Sequence, residues 1–424
     1  MSITSALSIA TSGLQAQSAA FSSISSNIAN VSTIGYKASS TSFEALLSDS
    51  SGRSTGIGGV TGTNSQNISA HGDIETTGVS TELAIDGSGF FAVTASSDST
   101  QVYYTRDGSF HTDDEGYLVN DAGYNLSGWA LDESGDIAAA NRTSTQSLVP
   151  INLADISGTP QPTSAIDMTA TLPADAAIGD AFVTDAEIYD SLGTAHSVPL
   201  TWTKTAENEW SVQAGDPASA ADTNVTTGTS DATSIAITFN TDGSLASINP
   251  SPAQIGFSGW TSGAADSTIA LDLGTVGRSD GLRQISTTDG NPKVSGYRAD
   301  QDGWSAGTLK DVTIDADGTV MANFDNGQTR AVYKIPIVTF ANPEGLDSVS
   351  GTVYSATAYS GQYQLKEAGS DGAGGIRAES LEHSTADTAT EMTRMIYAQQ
   401  AYSAAAKVVT AAQEMMDTII QAKR

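Results

Sequence analysis

Apolar residues recur at alternating spacings of four and three at both ends of this chain, while nearly everything between the ends alternates or breaks like β-structure. Ile3, Leu7, Ala10, Leu14, Gln17, Phe21, Ile24, Ile28 and Val31 fall along one side of an N-terminal helix. Met395, Ala398, Tyr402, Ala405, Val409, Ala412, Met416 and Ile419 do the same at the C-terminus. A β-rich chain with a helical seam at each end is expected to bring its termini together. The fold class that follows is mainly β with paired, coiled-coil-like terminal helices.

The first 36 residues contain no Asp, Glu, Lys or Arg, although the 424-residue chain has a formal net charge of -30, from 48 acidic and 18 basic residues. Such an acidic balance repels phosphate backbones and anionic lipid, so nucleic acid and membrane surfaces are not expected partners. There is no cysteine, which removes disulfides and thiolate chemistry and leaves packing and assembly to stabilise the fold. The N-terminus lacks the basic start and compact apolar run of a cleaved secretory leader, and no stretch reaches the length of a membrane span. An extracellular destination would therefore be reached by another route.

Four regions are expected. The terminal helical domain combines residues 1–36 and 381–424, with Gly35 placed as a left-handed C-cap and with capping pairs Ser384–Asp387 and Thr388–Glu391 at the second helix. Lys423 and Arg424 close that helix favourably against its dipole. Residues 37–71, rich in Gly, Ser and Thr, read as a linker able to act as a hinge. A first β-domain spans 72–149 with 289–380, and residues 150–288 form an outer β-domain inserted into it.

Asp114-Glu115-Gly116, Asp132-Glu133-Ser134-Gly135, Asp242-Gly243 and Asp317-Gly318 read as turns, because Gly supplies positive φ and Asp tolerates the bend. Asp315-Ala316-Asp317-Gly318 begins like a calcium loop but lacks the further ligands at fixed positions, so no metal is expected. His71, His111, His196 and His383 lie in unrelated contexts without metal-ligand spacing. With no nucleophile elbow or phosphate loop either, neither a cofactor nor an enzyme is expected.

Several motifs carry a resemblance. Ser12-Gly13-Leu14-Gln15-Ala16-Gln17 and the run Ser26-Asn27-Ile28-Ala29-Asn30-Val31-Ser32-Thr33-Ile34-Gly35-Tyr36-Lys37 resemble the N-terminal signature of the bacterial flagellar axial proteins. Asn27, Ala29, Asn30, Gly35 and Tyr36 are the motif positions singled out. Gly87-Ser88-Gly89-Phe90-Phe91 and Tyr104 to Phe110 are similar to that family's first β-domain, and Ile188-Tyr189-Asp190-Ser191-Leu192-Gly193-Thr194-Ala195-His196 to its inserted hook domain. Ser384-Thr385-Ala386-Asp387-Thr388 and Gln399-Gln400-Ala401-Tyr402 depart from the family's C-terminal pattern and make that helix less charged. The resemblance implies a hook subunit: a helical homopolymer forming a curved tube, exported uncleaved by the flagellar type III apparatus. It also implies contacts with rod proteins, the hook cap and hook-associated junction proteins. Another axial protein of rod or junction type, or a secreted β-rich adhesin, remains an alternative on the residues alone.

A helix on the surface of a monomer normally carries charge on its solvent face, and the N-terminal one carries none. Isolated helices of this length are marginal, the more so when rich in Ser. Both termini are therefore expected to be mobile in the free monomer and to become helical as neighbouring subunits pack.

Overall fold

The computed structural model describes residues 3–48, 56–132, 134–138, 141–287 and 290–422. It resolves into two compact units, Met1–Ile156 with Asp311–Asn323 and Thr329–Arg424, and Ser157–Lys310 with Phe324–Gln328.

In the first unit, helix α1 (Ile3–Ala29) and helix α2 (Thr388–Ala422) pack against each other. α2 begins where Asp387 caps it, the carboxylate accepting from the Thr390 amide at 2.8 Å. The cap is thus Asp387 itself. The expected Thr388–Glu391 box is replaced by an ion pair from Arg394 to Glu391 at 2.9 Å. Lys423 and Arg424 lie outside the described residues, as does Glu133 of the acidic turns.

The described residues of the 37–71 segment do not form a loose linker. Strand β1 (Ser39–Ser48) pairs antiparallel with strand β2 (Gly56–Gln66), and this hairpin lies on α1. Small residues make the fit: a Cβ at Gly62 would stand 3.2 Å from the Ala16 backbone, and the Val60 amide donates to Ser12 Oγ at 3.1 Å. Glycine that reads as flexibility in the sequence is here what lets backbone approach helix.

The rest of this unit is a β-domain built on an 11-stranded sheet whose centre runs Thr329–Lys334, Asn125–Ala130, Phe91–Thr94, Val102–Thr105 and Val353–Ser355. Phe90, Tyr104, Phe340 and Tyr354 meet edge-on in its core. Two small ladders join the outgoing and returning halves of the chain, Leu83–Asp86 with Gly375–Ala378 and Ile74–Thr76 with Ser380–Glu382. The segment from 381 thus enters a strand of the β-domain before the helix begins.

The second unit is a sandwich of two six-stranded sheets. Strand Ala195–Ala206 alternates strictly, sending His196, Val198, Leu200, Trp202 and Lys204 inward. Trp202, Trp210, Leu172, Ile235 and Ile237 centre its core. Residues 289–310 belong here rather than with the first β-domain, because strand Ser295–Gln301 pairs antiparallel with Ala165–Pro173. Conversely, residues 150–156 lie with the first unit. The acidic turns behave as expected of Asx turns: Asp113, Asp132, Asp242 and Asp317 each accept from backbone amides of their own turn. In the first of these turns the acceptor is Asp113, one residue earlier than the Asp114 of the sequence reading.

Candidate assembly interface

The terminal helices divide into a covered face and an open one. On α1 the buried residues are Ala10, Ala16, Ala20, Ser23, Ile24 and Asn27, a stripe of mostly small side chains. Leu7, Leu14, Phe21, Ile28 and Val31 of the sequence seam stand beside that stripe, only half-buried, and the side chain of Ile3 lies outside the described ones. On α2, Ala398 and Ala412 are buried, Met395, Ala405 and Val409 half-buried, and Tyr402, Met416 and Ile419 exposed. The two seams touch where Phe21 meets Tyr402 edge-on, with ring centroids 6.2 Å apart. Beyond that contact α2 is largely uncovered, and Ile396, Tyr397, Ile419 and Ile420 are 54%, 67%, 53% and 60% exposed.

An apolar helical face of that extent is unusual on the surface of a monomer. Burying each such side chain contributes about 1.5–3 kcal/mol. The distribution along α2 is uneven: of the residues after Ala412, none that is described is buried.

The motif residues near the end of α1 do a different job. Asn27, fully buried, donates from Nδ2 to the Ser39 carbonyl at 2.8 Å and accepts at Oδ1 from the Ser39 amide at 2.9 Å and the Tyr36 hydroxyl at 3.2 Å. Gly35 has φ of +67°, and a Cβ there would stand 2.7 Å from the Asp107 amide nitrogen. Its own amide donates to the Glu382 carbonyl at 2.8 Å, so Gly35 serves a close crossing six residues past the helix rather than the helix cap. Tyr36 is buried and its carbonyl accepts from the Thr385 amide at 3.0 Å. Asn30 is half-buried and bonds back to Ser26, while Ala29 is exposed and makes no such contact.

Under this crossing sits a buried ionic joint that the sequence reading missed. Glu382 receives the Lys37 ammonium at Oε1 and Arg106 Nη1 at Oε2, the latter at 3.0 Å, and all three side chains are at most 2% exposed. Lys37 also donates to the Ala70 carbonyl at 2.6 Å, and Arg106 to the Gly87 carbonyl at 2.7 Å. Burial alone would raise the pKa of Glu382, but the Arg106 and Lys37 charges and the Gly72 amide outweigh it and hold the carboxyl below its ordinary value. One carboxylate thus ties the exit of α1, the first β-domain and the approach to α2.

The His196 motif is structural as well. Asp190 Oδ1 accepts from the Leu192 and Thr194 amides at 2.9 Å each, closing a turn with Gly193 at φ +78°. Its Oδ2 accepts from Ser262 Oγ at 2.6 Å and faces His196 Nε2 at 3.1 Å, while His196 Nδ1 faces Thr227 Oγ1 at 2.7 Å. Asp, His and Ser are together, but the serine bonds the acid instead of the imidazole, and Asp190 and His196 are buried. The arrangement lacks the nucleophile-to-base contact that acyl transfer needs. Among the described residues no group of three or more acidic, His or Cys side chains could hold a metal, and no helix is long and apolar enough to cross a membrane.

Four family models match parts of the chain, with bounds that differ from those of the two compact units. Residues 152–373 match the flagellar basal body protein FlaE D2 domain, and residues 84–170 the flagellar hook protein FlgE/F/G D1 domain. Residues 7–37 match the flagella basal body rod protein family, and residues 377–422 the flagellar basal body rod FlgEFG protein C-terminal family. The flagellar hook protein FlgE of Brucella suis is 33% identical over 430 residues, covering 100% of both chains. That of Rhizobium meliloti is 32% identical over 100% of both, and that of Salmonella typhimurium 29% over 97% of this chain and 98% of its own. The crystal structure of Helicobacter pylori flagellar hook protein FlgE2 aligns with a TM-score of 0.49 at 14% identity, covering 73% of this chain and 100% of that one. With full-length identity above 30% and a domain match across more than half its residues, the chain belongs to the flagellar hook protein family and is a structural subunit of the hook.

Proposed function

We propose that this subunit polymerises through its terminal helices into a curved, hollow tube that serves as a flexible joint carrying torque from rod to filament. The observation that carries this reading is the open apolar face of α2 beside a charge-free α1: both suit helices that neighbours cover, and neither suits a helix that stays in water. A repeated contact between unlike surfaces does not close on itself and so builds an open helical assembly.

The partners follow from the same surface. Rod proteins at one end, and the hook cap and junction proteins at the other, would present matching terminal helices. Passage through the flagellar type III apparatus without cleavage suits an uncharged N-terminus of weak intrinsic helicity, able to travel unfolded and to fold as it docks. The hinge role expected of residues 37–71 is set aside, since the described strands Ser39–Ser48 and Gly56–Gln66 pair with each other and lie on α1. Electron microscopy of the purified chain after salt-driven polymerisation tests the reading. Curved tubes are expected; straight tubes would point to a rod-type assembly, and a chain that stays monomeric would refute assembly through this surface.

A further inference from the structure

Between α1, β1 and α2 lies a cleft of about 440 Å³, lined by Ala20, Ile24, Phe43, Tyr397 and, at its polar end, Glu391 and Arg394. Glu391 is 2% exposed. Its Oε1 accepts from Arg394 Nη1 at 2.9 Å, but its Oε2 is buried with no hydrogen-bond partner. A carboxylate only accepts, and an oxygen withdrawn from water without a donor is costly. Glu391 Oε2 therefore receives no donor from its own chain, although Gln17, Ser23, Ser40 and Thr41 also line the cleft.

The terminal helices offer few cations to fill it. α1 has none, and in α2 the described ones are Arg394, already engaged with Glu391, and Lys407. Lys407 is exposed and makes no ion pair among the described residues. It lies sixteen positions after Glu391 on the same helix, a separation of about 24 Å at the helical rise of 1.5 Å per residue. No lysine side chain spans that distance, so Lys407 cannot reach the Glu391 of its own chain.

We propose that the cleft is a receptor for a second copy of this chain, in which Lys407 of one subunit enters and gives its ammonium to Glu391 Oε2 of the next. The match is one of shape as well as charge: the aliphatic stem of a lysine suits walls made by Ile24, Phe43 and Tyr397, while its tip meets the carboxylate. Tyr397 at the rim continues into the open face of α2, so the pair would sit inside the assembly contact and fix its register. The inference rests on the proposed polymerisation through the terminal helices and adds the residues that set the stagger.

Critical concentration for polymerisation, measured by sedimentation at fixed ionic strength, tests it. Lys407→Glu, an exposed change that leaves the monomer folded, is expected to raise that concentration at least tenfold. Adding Glu391→Lys restores the wild-type net charge and reverses the pair, and is expected to recover most of the loss. In wild-type polymer, zero-length carbodiimide coupling followed by mass spectrometry should join Glu391 to Lys407 across subunits. Wild-type-like assembly of Lys407→Glu overturns the pairing while leaving polymerisation intact, and so does a double variant that folds, by its thermal melt, yet assembles no better than the single one. A wild-type chain that does not polymerise at all overturns both readings.

Discussion

Glu382 is the residue on which most of the first unit converges, and its neighbours determine what its loss would do. Replacing it by Gln leaves Lys37 and Arg106 buried without their counter-ion, and breaking a buried pair from one side costs about 3–5 kcal/mol. Chemical denaturation of Glu382→Gln should therefore show a large loss for the first unit, while the Trp-rich sandwich, monitored separately, keeps its own transition. The same joint contains a pH-sensitive neighbour. His71 is solvent-exposed, but partial desolvation first, and then the Arg106 charge facing its Nδ1 at 3.1 Å, push its imidazole below its ordinary 6.5. The folded state thus binds fewer protons there than the unfolded one, so its contribution is present above pH 6.5 and is lost as pH falls below that value. Thermal melts from pH 7.5 to about pH 5.5 should fall less steeply for His71→Gln than for the parent chain. Only part of this joint was legible in the sequence. Gly35, Tyr36 and Lys37 stood out within a motif, but Lys37 and Glu382 are 345 positions apart, and no local pattern announces a pair made by the return of the chain. Asn27 was visible in the same way, as a motif residue without a stated reason; its reason is the Ser39 backbone.

At the level of elements, periodicity served the helices well and composition misled about the hairpin. The four-and-three spacing located both helices; of its α1 positions Ala10 and Ile24 lie in the face covered within the chain, with Ala16, Ala20, Ser23 and Asn27, while Leu7, Leu14, Phe21 and Ile28 stand beside it half-buried. The hairpin needs close backbone approach to α1, which Ala16 and Ser12 allow and Leu or Phe would not. Residues 37–71 were read as a linker because Gly, Ser and Thr also make flexible chains; the described strands Ser39–Ser48 and Gly56–Gln66 instead pair and lie on the helix beside them. Gly62→Val should push β2 off α1 and cost about 1–3 kcal/mol through overpacking. Limited proteolysis would detect it as new cleavage within residues 39–66. The strand Ser295–Gln301 shows the same limit: its alternation is plain, but its partner Ala165–Pro173 lies far back in the sequence and moved the domain boundary.

For the molecule as a whole, two kinds of contact are kept apart. The joint around Asn27, Gly35 and Glu382 is complete within one chain, with its polar groups largely paired and its charges buried. On α2, by contrast, Met416 and Ile419 are exposed and nothing described after Ala412 is buried. On the proposed assembly, a subunit of this design is folded around the joint and completed by its neighbours along α2. Helix stability in such a segment comes from tertiary packing rather than propensity, so the far half of α2 should fray in the monomer and hold in the polymer. Hydrogen–deuterium exchange on monomer and assembled polymer measures this directly. Amides of Ile74–Thr76 and Ser380–Glu382 are expected to be protected in both states, and those from Tyr402 to Gln421 only after assembly. Full protection of α2 in the monomer, or none in the polymer, would contradict the claim that neighbouring subunits complete the seam.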